Sequence, residues 1–163
     1  MDAGEMILLN CIKSELAEKG LDYSEDDGCL RMNFVGDPEM GTLQLAIHIY
    51  KSFCVSYCIL LDHKIKRRKS KVTEYLNRAN FGTVGGHFVL DYCYEHVLYK
   101  IALPQVVVIK DGEQAVNLLL GDSYNQFHLF FHGLLAVEQG LQTPEEAIRC
   151  AKNSDEDDED DDS

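Results

Sequence analysis

A chain of 163 residues fits one domain and leaves little room for two. Apolar residues make up 45% and charged residues 26%, which allows a real core and excludes collagen-like, coiled-coil and wholly disordered classes. The net charge of −13, from 28 acids and 15 bases, argues against a nucleic-acid binder working by bulk charge, because phosphate asks for net cation. Eight of the acids fall in the last nine residues, so residues 1–154 hold 20 acids against 15 bases, a net −5.

Residues 3–19 read as an amphipathic helix, with Leu8, Leu9, Ile12 and Leu16 at helical spacing and Gly20 as its cap. From residue 21 the period becomes two. Leu30, Met32 and Phe34 alternate with Cys29, Arg31 and Asn33, and Asp27-Gly28 predicts a hairpin turn joining that strand to residues 21–25. Gly36-Asp37-Pro38 ends it. Residues 43–51 and 53–61 are two further strands. In the second, Phe53, Val55, Tyr57, Ile59 and Leu61 share one face, while Cys54, Ser56 and Cys58 make a small-residue face suited to lie beneath a helix.

Residues 64–71 carry six of the fifteen basic residues. A helix follows, with Val72, Tyr75, Leu76 and Ala79 on one side, ended by Asn80-Phe81-Gly82. Residues 87–92 and 96–101 alternate again. Phe88, Leu90 and Tyr92 are expected on one face, with Val97, Tyr99 and Ile101 paired across from them. Residues 106–109 fit either helix or strand. Residues 115–137 read as helical, interrupted near Gly121-Asp122 and ended by Gly140. Thr143-Pro144-Glu145-Glu146 is a capping box opening a last short helix. The expected division is a domain over residues 1–153 and a solvated acidic tail over residues 154–163. Short strand connections between helical ends predict the α+β class, with helices packed on one antiparallel sheet.

No apolar run approaches the roughly 20 residues of a membrane span. The start, Met1-Asp2-Ala3-Gly4-Glu5, is acidic where a secretory signal is basic, so a cytoplasmic location is expected. The six cysteines are then expected reduced. No Cys-x-x-Cys pair occurs, and Cys54 and Cys58 on one strand face stand about 13 Å apart, too far for one zinc.

Residues 71–104, KVTEYLNRANFGTVGGHFVLDYCYEHVLYKIALP, resemble the signature of the YbjN family of bacterial proteins. The resemblance lies in Tyr75-Leu76-Asn77-Arg78-Ala79-Asn80, in Phe81-Gly82, in Gly86 with Phe88, Leu90 and Asp91, and in Tyr99-Lys100. Residues 137–148 match the closing pattern of a glycine turn followed by Pro-Glu-Glu-Ala-Ile. Cys93-Tyr94-Glu95 departs from the acidic-Gly hairpin turn and permits a longer loop. The resemblance implies a fold similar to type III secretion chaperones, frequent homodimers, and a stress or sensory regulator without enzyme activity. It supplies no catalytic residue.

Arg78 and Asn80 are read as tying the helix end to the sheet through backbone hydrogen bonds, with Asn80 able to take the left-handed conformation. Asn77 and Phe81 belong to the same element. His128 and His132 share a helix face, but Leu129 stands where a zinc-protease helix has Glu, so histidines partly buried or at an interface are expected. No nucleophile elbow and no phosphate loop occurs. The basic run at residues 64–71 lacks interleaved aromatics, which argues against nucleic acid and makes the acidic tail its nearer partner.

Phe127, Phe130, Phe131 and Leu134 give an apolar helix that one small chain would struggle to cover, which predicts a homodimer or a partner-binding groove. The reading is a non-enzymatic protein-binding protein, chaperone-like or regulatory, without cofactor or metal. The alternative is a small-molecule or metal-responsive sensor with a pocket between sheet and helices.

Overall fold

The structure, a computed structural model, describes residues 1–158, and the side chains of residues 1–153. Helix α1 (Ala3–Glu18) opens with a capping box. The Glu5 amide donates to Asp2 Oδ1 at 3.0 Å, and the Asp2 amide donates to Glu5 Oε2 at 2.6 Å. Leu8, Leu9, Ile12 and Leu16 are its buried side. Strands β1 (Ser24–Asp26) and β2 (Cys29–Val35) join through Asp27 and Gly28, at φ of 47° and 73°. Positive φ at both positions is the type I′ turn that Asp-Gly favours. Then come β3 (Thr42–Ile49), β4 (Phe53–Lys64), α2 (Lys69–Asn80), β5 (Gly86–Asp91) and β6 (His96–Pro104). The last third holds α3 (Gln105–Lys110), α4 (Gly112–Asn117), a π-helical turn (Leu118–Asp122), α5 (Ser123–Gln139) and α6 (Pro144–Asp158).

The six strands form one antiparallel sheet in the order β1-β2-β3-β4-β6-β5. With the helices packed against it, this is the α+β class. The core face of the sheet is built from Leu30 and Met32, from Leu43, Leu45 and Ile47, from Cys54, Ser56, Cys58 and Leu60, and from Val97, Tyr99 and Ile101. The small residues of β4 therefore lie inward, and its larger face with Phe53 and Tyr57 turns away from that core. Phe88 stands opposite Tyr99 and Leu90 opposite Val97, as the alternation requires. Tyr92 falls outside the strand and is 53% exposed.

Phe127, Phe130, Phe131 and Leu134 are all buried within this one chain, none more than 5% exposed. This corrects the expectation that one small chain would leave them uncovered. Phe88 supplies the reason. Its ring meets Phe127 at 5.3 Å and Phe130 at 5.8 Å, while Phe131 packs edge-on to His63 at 5.0 Å. The small side chains of β4 belong to the same core and leave volume for these rings. Next to Phe130 on α5, Gly133 lets α2 come close. The Tyr75 hydroxyl occupies the place a Cβ would take there and donates to the Phe130 carbonyl at 2.8 Å. These four side chains therefore offer no uncovered face to a second copy.

Residues 106–109 are helical. Gly140, at φ 78°, ends α5, and Thr143 with Glu146 forms the capping box of α6. Helix α6 is followed to Asp158, while residues 159–163, the end of the acidic tail, lie outside the described residues. The expected approach of that tail to residues 64–71 therefore falls on them in part. Among the described residues, no helix is long and apolar enough to cross a membrane.

Candidate functional site: a half-open sheet edge and its groove

A sheet has two edges, and unpaired edge amides invite another strand. In this protein the two edges are treated differently. At the β5 edge, the Asn80 side chain acts as a substitute strand. Its Nδ2 donates to the Phe88 carbonyl at 2.9 Å, and the Phe88 amide donates to its Oδ1 at 2.6 Å. Two residues before Phe88, Thr83 Oγ1 donates to the Gly86 carbonyl at 2.7 Å. Side chains thus occupy both outward groups of Phe88 and the Gly86 carbonyl at this edge.

The other residues of that segment do different work. Arg78 pairs with Glu74 one turn back on its own helix, at 3.2 Å, so it does not tie the helix to the sheet. Asn77 is exposed, and Phe81 is 92% exposed. Asn80 is helical and Phe81 closes the helix at φ −65°, so the expected left-handed cap does not occur.

The β2 edge is covered along only half its length. Strand β1 pairs Ser24 with Arg31, Glu25 with Leu30 and Asp26 with Cys29, and stops. The two-residue turn makes Asp26 and Cys29 a hydrogen-bonded pair, so by alternation Arg31, Asn33 and Val35 also turn their amides to the β1 side. Arg31 meets Ser24. Beyond it, Asn33 and Val35 have no backbone partner on that side among the described residues. Val35 is 78% exposed.

Beside this open half lies a groove of about 480 Å³. Leu21, Met32, Phe34, Leu120 and Tyr124 give it apolar walls, and Asp22 brings one carboxylate. Two irregularities of the chain shape it. Residues 20–22 run from α1 without joining the sheet, and the π-helical turn places Leu120 and Gly121 against the gap. π-Helical turns recur at functional sites, because one extra residue per turn displaces the helix surface locally. Tyr124 contacts Phe34 at 6.4 Å and stacks on His128 at 5.9 Å. The Asp37 carboxylate is in turn 3.1 Å from His128 Nδ1. The Met40 amide donates to the other Asp37 oxygen at 3.0 Å, which holds this carboxyl below its ordinary range.

The histidine pair on α5 thus faces the turn after β2. His132 Nδ1 lies 3.6 Å from Glu39. Both rings are mostly exposed, which corrects the expectation of partial burial. Among the described residues, no group of three or more His, Cys, Asp and Glu could hold a metal ion. In the basic run, Lys69 pairs with Glu95 at 2.7 Å, and Lys66 and Arg67 donate their amides to Glu138.

A cysteine–histidine contact, Cys29 Sγ to His48 Nε2 at 3.6 Å, escaped the sequence reading because it joins two strands. Burial pushes the Cys29 thiol up and His48 down, so both stay neutral, the opposite of an activated thiolate. Burial also pushes Cys54 and Cys58 up to about 12.

No family model matches this chain, and no curated protein matches it. Among solved structures, it is similar to YbjN from E. coli, a protein described as a candidate transcription regulator. The two are 14% identical, over 72% of this chain and 93% of that one, with a TM-score of 0.44. That likeness is confined to the general arrangement of the fold.

Proposed function

We propose that this protein is a non-enzymatic binder of polypeptides, and that an extended segment of a partner adds to the sheet along residues 32–35 of β2. The observation that carries this reading is the contrast between the edges: at the middle of β5 Asn80 and Thr83 occupy the outward groups of Phe88 and the Gly86 carbonyl, whereas Asn33 and Val35 stand open beside an apolar groove. In strand addition, backbone hydrogen bonds give affinity and pockets for alternate side chains give specificity. The open edge supplies the first and the groove the second. The neutral state of the Cys29–His48 pair supports a role without catalysis.

Selection from a displayed library of random octapeptides on the full chain tests the reading. Enriched peptides are expected to alternate apolar and polar residues, to compete with one another, and to lose binding to Asn33→Pro. Proline removes the outward amide, at an edge where no sheet partner needs it. N-methylation of alternate peptide amides is expected to abolish binding to the unaltered protein. No enrichment, or enriched peptides indifferent to both changes, refutes strand addition.

The groove also lies between sheet and helix surface and has the size of a small-molecule site, which favours a sensor as the second reading. A small apolar ligand would raise the melting temperature equally in the protein and in Asn33→Pro.

A further inference from the structure

The rim of the β2 groove narrows the choice of partner. We infer that the added segment is apolar in its middle, basic at its ends, and supplied by another protein rather than by a second copy of this chain. This rests on strand addition as proposed above and names the chemistry of the partner.

The apolar middle follows from the walls. An added strand turns alternate residues toward the groove, where they meet Leu21, Met32, Phe34, Leu120 and Tyr124.

The basic ends follow from the charges. Asp22 stands at the Met32 end of the open edge, and Asp37 lies two residues beyond Val35 at the other. The four open residues span roughly 13 Å of strand, so a segment of six to eight residues would reach both acids. The cations nearby are already engaged: Lys13 with Glu25 at 2.7 Å, Lys19 with Glu113 at 3.8 Å, and Arg31 with Asp26 at 3.6 Å. Asp22 and Asp27 have no ion-pair partner among the described residues. Asp37 has its own amide donor, and His128 beside it. Asp22 is left open to a basic partner, and at the other end a lysine or arginine would take the place of His128 on the second Asp37 oxygen.

The same arrangement acts against self-pairing. Two copies joined antiparallel through this edge would bring Asp22 of each toward Asp37 of the other. Like charges facing across a strand pair are destabilising, and such repulsion suppresses a wrong partner.

The core of a library-selected octapeptide, synthesised with paired lysines, serines or glutamates at both ends, provides the test. Fluorescence anisotropy on the full chain is expected to rank lysine above serine above glutamate at low salt. About tenfold between successive members is expected, with the spread shrinking in 0.5 M salt. Asp22→Lys, on an exposed residue, is expected to narrow or reverse the ranking.

Equal affinities that are still lost in Asn33→Pro would overturn the inference and leave strand addition standing. Binding that ignores Asn33→Pro would overturn strand addition itself. Sedimentation showing a dimer of the full chain that Asn33→Pro dissolves would make a second copy the occupant and overturn the inference.

Discussion

Replacing Asn80 by alanine removes the plug at the β5 edge and leaves Phe88 with an amide and a carbonyl unpaired. Both bonds are short, at 2.6 and 2.9 Å, and both are partly buried. A neutral hydrogen bond contributes about 1 kcal/mol net, and a buried group left without a partner costs more. The loss is therefore about 2 kcal/mol, rising toward 3 if water does not reach Phe88. For a domain of this size that lowers the melting temperature by roughly 4–8 °C. Urea titration followed by far-ultraviolet circular dichroism reads the change. Asn80→Asp sharpens the test. It keeps an acceptor for the Phe88 amide but sets a carboxylate against the Phe88 carbonyl, so it is expected to be no more stable than Asn80→Ala. Arg78→Ala, which loses only an exposed pair with Glu74, is expected to change stability by at most about 0.5 kcal/mol. A loss below about 0.5 kcal/mol in Asn80→Ala would refute the edge-plug reasoning, because Asn80 would then be an ordinary helix-end residue.

Other consequences follow from the core and the loops. Phe127→Ala is expected to cost about 3–5 kcal/mol while the mass by light scattering stays unchanged, since the ring is 1% exposed inside one chain; a change of mass with little loss of stability would restore the interface reading. Ser56 is fully buried with no partner for its hydroxyl among the described residues, so Ser56→Ala is expected to be neutral or to stabilise by up to about 1 kcal/mol in urea; a clear loss would contradict this. Asp37 and Asp62 sit in the folded state below their ordinary carboxyl range, because the amides of Met40 and Thr42 donate to them. Their contribution is therefore complete above about pH 4 and is lost as pH falls through the depressed values. Melting curves of Asp37→Asn and Asp62→Asn are expected to fall less steeply than those of the unaltered protein between pH 4 and 2, and parallel curves would contradict this.

Much of the fold was legible in local pattern. The Asp27-Gly28 turn, the capping box at Thr143, the stop at Gly140 and the inward face of α2 are each fixed by residues close in sequence, where short-range sterics decide. The inward turn of Cys54, Ser56 and Cys58 could also be foreseen, because small residues on one strand face suit a helix above them. What the pattern missed is non-local. The coverage of Phe127, Phe130 and Phe131 depends on Phe88 and on Gly133 admitting Tyr75, and no spacing along α5 announces either. Asn80 was singled out correctly for backbone bonding, but its role as a strand substitute depends on where β5 lies. Arg78, two residues from the helix end, found Glu74 one turn away instead. The groove at β2 carries no motif at all. It arises because β1 stops at three residues and a π-helical turn faces the gap, and both are tertiary outcomes.

Amide hydrogen exchange at Asn33 and Val35, measured with and without a saturating library-selected peptide, tests the central claim most directly. The account predicts that both amides exchange readily in the free protein, as unpaired edge groups do, and become protected in the complex while the Phe88 amide hardly changes. A complex in which Asn33 and Val35 exchange as before, with new protection confined to α5 and α6, would contradict it.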